Sequence, residues 1–194
     1  MMSQLMSRPR RPTNRSRALL DAAAKQFGRQ GFHGTTTRDI TAAAAMTSGS
    51  IYSQFSSKDA LLLAVYSEGV RRVLTRLDLA VKNADKPQTR LEAAVVAHLE
   101  AILDQSDYAR VMIRVLPEDV PSVAPALREL RDQVEARYRT LIAKLPLPLE
   151  VDRKFFRLLL LGAMNWSPVW FDPKKDHTER IAKSFLSLLS VKQV

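Results

Sequence analysis

The chain of 194 residues reads as an all-α protein of about nine helices. An N-terminal three-helix unit built around a helix-turn-helix precedes a larger helical unit. Three observations predict this. Apolar residues recur at three- and four-residue spacing along most of the chain. Ser, Thr or Pro opens these stretches, and Gly or Pro closes them. No stretch alternates apolar with polar residues as a half-buried strand does.

Residues 1–12 carry Arg8, Arg10 and Arg11 among prolines without periodicity, and read as a flexible basic arm. Thr13 or Asn14 caps a first helix with Leu19, Ala22, Ala23 and Phe27 on one face, which Gly31 ends. Thr36 with Asp39 makes a Thr-x-x-Asp start for the second helix, close to a capping box. Thr47 or Ser48 caps the third, where Ile51 and Phe55, four apart, point to the core. Ser56-Ser57 then caps a long helix from Lys58 to about Asn83. Pro87 opens a fifth helix with Leu91, Val95, His98, Leu99 and Ile102 on its apolar face. A short element, Tyr108–Leu116, leads to a Pro-rich connector over 117–125. Further helices are expected over 126–145, 150–171 and 176–191, separated by Pro146, Pro148 and Pro173. The domains so read are 13–57 for the helix-turn-helix and 58–194 for the larger unit.

Composition narrows the function. There is no cysteine, which removes disulfides, thiol catalysis and Cys-based zinc sites. The longest apolar run, Leu158 to Met164, is far short of a membrane span. Met1–Met6 lacks an apolar signal core, so a cytoplasmic protein is expected. The net charge is +10, and residues 1–60 carry nine Lys/Arg against three Asp/Glu, a balance of +6. Positive charge is therefore denser at the N-terminal end, as expected where phosphates are met.

A helix that enters a major groove needs a capped N-terminus near phosphates, two inward apolar anchors and short outward polar side chains. Thr47 and Ser48 supply the first, and Ile51 and Phe55 the second. Ser48, Ser50, Tyr52, Ser53 and Gln54 supply the third. Lys58, at the start of the next helix, stands where a phosphate would lie.

Residues 17–66 resemble the DNA-binding domain of the tetracycline-repressor (TetR) family of bacterial transcription regulators. The resemblance is carried by Leu19-Leu20-Asp21-Ala22-Ala23, Phe27, Gly31-Phe32, Thr35-Thr36, Ile40, Gly49, Ile51-Tyr52, Phe55, Lys58 and Leu61. It implies a homodimeric repressor on a palindromic double-stranded DNA operator, released by a small molecule bound in the C-terminal domain. It also implies Thr36, Thr47, Tyr52 and Lys58 as phosphate contacts, with Arg38, Ser48, Ser50 and Gln54 as base readers. Two positions depart from the family pattern. Ala45 stands where glycine is usual in the turn, at a cost of roughly 1 kcal/mol if φ is positive. Gln54 replaces the commoner His or Tyr, and its amide suits adenine.

The larger half is read more coarsely. Phe155–Met164 is apolar all the way round, so this helix must be covered on two sides. With the Ile181/Phe185/Leu188/Leu189 stripe it would form a four-helix interface between two subunits, through helices near 150–171 and 176–191. Gly162-Ala163-Met164-Asn165-Trp166, with Trp170, is similar to a pattern in family members that answer to acyl-CoA thioesters. An acyl-CoA or other apolar acid is thus one expected effector, and a multidrug or aromatic ligand is the alternative. Candidate lining residues are His98, Tyr108, Arg110, Met112, Arg114, Tyr138, Asn165, Trp166 and Trp170, with Phe156. Trp166 and Trp170, four apart, would share a helical face.

Two rival classes fit the sequence less well. An enzyme finds no support: the histidines at 33, 98 and 177 make no metal spacing, and there is no Gly-x-Ser-x-Gly elbow or phosphate-binding glycine loop. No cofactor, metal site or membrane partner is expected. A nonspecific nucleic-acid binder accounts for the charge, but not for the capped helix or the apolar C-terminal faces.

Overall fold

The computed structural model describes residues 14–47, 49–104 and 106–189. The arm arginines 8, 10 and 11, and Ser48, lie outside the described residues, as do the side chains of Ser50 and Leu189. Nine α-helices and two single 3₁₀ turns, with no strand, make up the regular structure of the described residues.

The first helix, α1 (Asn14–Gln30), buries Leu19, Leu20, Ala23, Ala24 and Phe27. Gly31, at φ 75°, ends it in the left-handed region that favours glycine. The next helix, α2 (Thr37–Ala43), has the full capping box. The Asp39 amide donates to Thr36 Oγ1 at 3.2 Å, and the Thr36 amide donates to the Asp39 carboxylate at 2.9 Å. The Thr36 hydroxyl, donating to the same carboxylate at 2.6 Å, and then the Thr36 amide hold the Asp39 carboxyl below its ordinary value. The α2–α3 turn passes through Ala45 at φ 53°, the strained conformation anticipated at that position. The third helix, α3, is only Gly49–Tyr52. Helix-like bonds continue beyond it, from the Phe55 amide to the Ile51 carbonyl at 2.7 Å, so Ile51 and Phe55 still face inward.

The axis of the molecule is α4 (Lys58–Lys82), capped by Ser57, whose side chain accepts from the Ala60 amide. Its 25 residues span about 37 Å at the rise of an α-helix. It packs against α1 and also against α5 (Pro87–Leu103), α6 (Asp107–Arg114) and α7 (Ala124–Ala143). A 3₁₀ turn at Pro117–Asp119 joins α6 to α7. The connector is shorter than expected because Pro125 sits inside the first turn of α7, where its missing N–H is tolerated.

The helix expected over 150–171 is α8 (Arg153–Trp166). Asp152 caps it by accepting from the amides of Lys154 and Phe155. Pro168 ends it, and Ser167–Val169 turns as 3₁₀. Trp166 and Trp170 therefore lie on either side of a helix end and share no helical face. The last helix is α9 (Thr178–Leu189), which packs on α5 and α8. Only one side of α8 is covered: Phe156, Leu160 and Met164 are buried, while Phe155, Leu159 and Trp166 are exposed.

Every buried side-chain nitrogen or oxygen among the described residues has a partner. Substituting Gly31→Ala is expected to lower unfolding free energy by about 1 kcal/mol. Urea unfolding at pH 7 measures it, and an unchanged midpoint would show that the turn relaxes without strain.

Candidate functional site

Two regions concentrate function-bearing side chains. The first is the outer surface of α2, the turn and α3. Ile51, fully buried, anchors the short helix. Thr36, Arg38, Thr47 and Gln54 are exposed, and Tyr52 keeps 62% of its surface in solvent. Of the polar face read from the sequence, Tyr52, Ser53 and Gln54 point outward. Arg15, near the start of α1, is exposed as well.

Lys58 behaves differently from its expected role alone. Its ammonium donates to the carbonyls of Phe32 at 3.0 Å and Thr35 at 2.9 Å, and lies 4.2 Å from the centre of the Phe32 ring. Two of its three N–H donors thus brace the α1–α2 turn against α4, leaving one to meet a phosphate. The sequence held no sign of this brace, because its acceptors are backbone carbonyls more than twenty residues away.

The second region is a cavity of about 420 Å³ bounded by α4, α5, α6, α7 and α8. Its wall is mostly aliphatic, with Val70, Val73, Ile102, Val134 and Leu161 prominent. Of the residues predicted to line it, His98, Met112 and Asn165 do so. Tyr138 sits behind His98, fully buried. Phe156 lines a separate, smaller hollow near Leu145–Pro148.

The remaining predictions are corrected by packing. Tyr108, Arg110 and Arg114 lie on the side of α6 that meets α1. Tyr108 donates to Asp21 at 2.7 Å, and the Arg72 guanidinium lies 3.9 Å from its ring centre. Burial and the neighbouring carboxylate push the Tyr108 hydroxyl well above its ordinary range. Arg114 donates to the Arg29 carbonyl at 2.9 Å, satisfying the C-terminal end of α1, and Arg110 pairs with Asp107 at 3.2 Å. Trp166 and Trp170 are on the surface, Trp170 edge-on to Phe185. Sequence reasoning missed Tyr66, Arg131 and Glu135, which do line the cavity. Val70 and Val73, one and two turns of α4 beyond Tyr66, were the available signal, but a long helix buried on several faces does not say which face meets a void.

The polar floor of the cavity is His98, only 4% exposed. Tyr138 Oη lies 3.1 Å from His98 Nδ1, 3.1 Å from the Ala94 carbonyl and 3.7 Å from Met164 Sδ. Carbonyl and thioether only accept, so the single hydroxyl proton goes to Ala94 and His98 Nδ1–H donates to Tyr138. This leaves Nε2 as the lone-pair nitrogen of a neutral ring. Burial drives the His98 pKa down to about 4, opposed in part by a hydrogen bond with the Asn165 amide.

Two family profiles match this chain. The profile described as "Bacterial regulatory proteins, tetR family" matches residues 19–65. That described as "Tetracyclin repressor-like, C-terminal domain" matches residues 84–190, more than half the chain. The chain belongs to the TetR family. Among curated TetR-family relatives, the HTH-type transcriptional repressor KstR2 of Mycolicibacterium smegmatis is 32% identical over 105 residues, 54% of this chain and 50% of KstR2. The chain thus spans about half the length of the curated relatives it matches. Among solved structures, AibR in complex with isovaleryl coenzyme A and operator DNA superposes with TM-score 0.77 at 22% identity, over 91% of this chain and 98% of AibR. FadR of Bacillus subtilis in complex with stearoyl-CoA gives TM-score 0.73 at 17% identity, over 92% and 99%. At these identities the structural likeness concerns the TetR fold.

The neutral His98 makes a pH prediction. Its folded value, about 4, lies below the unfolded value of 6.5, so the unfolded chain binds the extra proton between them. Its contribution of about 3 kcal/mol is complete above the unfolded value and disappears as pH falls toward the folded one. Wild-type stability should fall by about 2 kcal/mol from this group between roughly pH 7 and 5. Urea unfolding at constant ionic strength should show a shallower slope for His98→Gln, and parallel slopes would contradict a neutral buried ring.

Proposed function

We propose that this TetR-family chain is a homodimeric transcriptional repressor that binds a palindromic operator and is released by a small apolar ligand, an acid or its coenzyme A thioester. The observation that carries the DNA-binding reading is the arrangement around Ile51. A buried anchor holds a short helix whose neighbours Arg38, Thr47, Tyr52 and Gln54 face solvent on one polar surface. In this reading Thr36, Thr47, Tyr52 and the remaining Lys58 donor meet phosphates. Arg38, Ser48, Ser50 and Gln54 read bases, Arg38 being the best suited to guanine. The DNA-binding unit is then 13–57, with 58–194 serving ligand and dimer.

Dimerisation is supported by the uncovered side of α8. Phe155, Leu159 and Trp166 are 60%, 62% and 63% exposed, and Gly162, at the same helical spacing, has no heavy atom near the position of a Cβ. Leu188 on α9 extends the apolar surface. Large apolar side chains exposed at helical spacing mark an interaction surface, and two such α8–α9 pairs make a four-helix contact. A dimer would present two α3 helices about 34–36 Å apart, or a multiple, to successive major grooves.

Ligand control is supported by the cavity and by the bound thioesters in AibR and FadR. Release would run through α6. Met112 and Ile113 line the cavity, while Tyr108 and Arg114 on the same helix hold α1. A ligand that displaces the first pair shifts the second against the DNA-binding unit. The alternative, an aromatic or multidrug ligand, is less well served. Tyr66 is the only Phe, Tyr or Trp among the described wall residues.

Selection of duplexes from a random pool by the full chain should enrich a near-palindrome, and enrichment without symmetry would refute the operator reading. On that duplex, Gln54→Ala should relax preference at one base pair per half-site, costing about 1–3 kcal/mol there. Lys58→Ala should weaken binding to all sequences and also lower the unfolding midpoint, because it removes the brace as well as a phosphate contact. Uniform losses for both variants on selected and random DNA would refute the division of roles. Light scattering should give a dimer mass for wild type and a monomer for Leu159→Glu. A wild-type monomer at tens of micromolar would refute the interface.

A further inference from the structure

The walls of the cavity differ sharply between floor and rim. Tyr66, Val70, Val73, His98 and Ile102 at the floor are all nearly inaccessible, and His98 is the one ionisable group of the five that could carry positive charge. It is held neutral there by burial. At the rim, Ile113, Leu116 and Leu158 are each more than a third exposed. Arg131 stands among them, also exposed, with its guanidinium donating to the Tyr66 hydroxyl at 3.2 Å.

The glutamates near that rim are paired with other arginines. Glu135 accepts from Arg157 at 2.9 Å and lies 3.8 Å from Arg139, while Glu118 accepts from Arg128 at 3.1 Å. With Arg131, four arginines face two glutamates. Arg131 is near enough to Glu118 to help hold that carboxyl below its usual range, after the backbone bond and the Arg128 bond that dominate. Arg131 alone of the four lines the cavity.

We propose that the cavity takes an amphipathic anion in one orientation, its apolar chain against Val70, Val73 and Ile102 of the floor and its anionic head at the rim on Arg131. The proposal rests on the ligand-responsive reading given above. The reverse orientation would put a carboxylate against a neutral imidazole among aliphatic side chains. Burying an unpaired charge there costs more than the chain gains by contact. At the rim the same charge stays partly hydrated and meets a guanidinium built for two-pronged carboxylate or phosphate binding. A free carboxylate and the phosphates of a coenzyme A thioester share this chemistry. Asn165, at the join of rim and floor, is placed for a single neutral polar group along the chain.

The test is calorimetric titration of the full chain with four ten-carbon probes: decanoate, decanoyl-coenzyme A, 1-decanol and decylamine. At least one anionic probe should bind tenfold or more tightly than decanol, with decylamine weaker still. Decanoate the tighter of the two anions identifies a free acid, and the thioester the tighter identifies a phosphate-bearing head. Arg131→Gln should lower anion affinity at least tenfold and leave decanol within about twofold. Arg137→Gln, on the same helix but paired with Asp78 at 2.9 Å, should change neither. Absence of binding by every probe, equal affinity for decanol and the anions, or an anion preference that survives Arg131→Gln would each overturn the orientation. A parallel gel shift of wild type on the selected duplex separates the two levels. Release by decanol or decylamine alone sinks this inference and keeps the regulator. Anion binding through Arg131 without any sequence-selective DNA binding keeps the site and sinks the regulator.

Discussion

Lys58 ties the two halves of the molecule at one point. It is the first residue of α4, and its ammonium holds the carbonyls of Phe32 and Thr35 while covering the Phe32 ring. The other end of the relationship lies two to four turns on, where Tyr66, Val70 and Val73 of the same helix wall the cavity. A straight helix transmits displacement along its axis with little loss, because its backbone bonds are all internal. The α1–α2 turn and the floor of the cavity are therefore fixed to one rigid rod. Any force that tilts the rod at its middle is felt at the turn.

A second joint runs beside the first. Arg72 on α4 lies over the Tyr108 ring of α6, is hydrogen-bonded to Glu68, and sits 4.0 Å from Asp21 on α1. The Glu68 carboxyl, bonded first of all to Arg71 and also to Arg72, is held down at about 2. Gly28 on α1 lets the backbone of α6 approach closely, since a Cβ there would stand 3.1 Å from the Asp107 carbonyl. His33 donates to the Asp119 carbonyl at 2.8 Å, joining the start of the α2 connector to the turn after α6. Three helices thus meet through oriented polar contacts rather than through apolar packing alone. Such contacts have a preferred geometry, and a small shift of α6 breaks several of them together.

The cavity and the uncovered face of α8 are neighbours. Leu158, Leu161 and Asn165 turn toward the cavity, while Phe155, Leu159 and Trp166 turn away from the core. One largely apolar helix serves both surfaces, with Arg157 the one charged side chain between Phe155 and Met164. Its buried third face, Phe156, Leu160 and Met164, keeps it attached to α7.

Much of this was legible in the sequence. Helical periodicity placed nearly every element, because burial of one face imposes the spacing directly. The capping box at Thr36 and Asp39 and the stop at Gly31 were readable because caps and helix ends are set by residues adjacent in sequence, whereas the strain at Ala45 followed from the resemblance to the TetR family. The outward face at Tyr52 and Gln54 followed from the inward anchors at Ile51 and Phe55. What the sequence could not say is where long-range partners lie. Arg114 and Arg110, equally spaced on one helix face, look like ligand-binding arginines until α1 is seen packed against them. Trp166 and Trp170 look as if they share a helical face until Pro168 ends the helix between them. Lys58 looks free until two backbone carbonyls from another element close on it. Side-chain chemistry and local dihedral preference are written residue by residue. Which charges are already spent, and which wall faces a void, depends on contacts between segments that only the folded chain brings together.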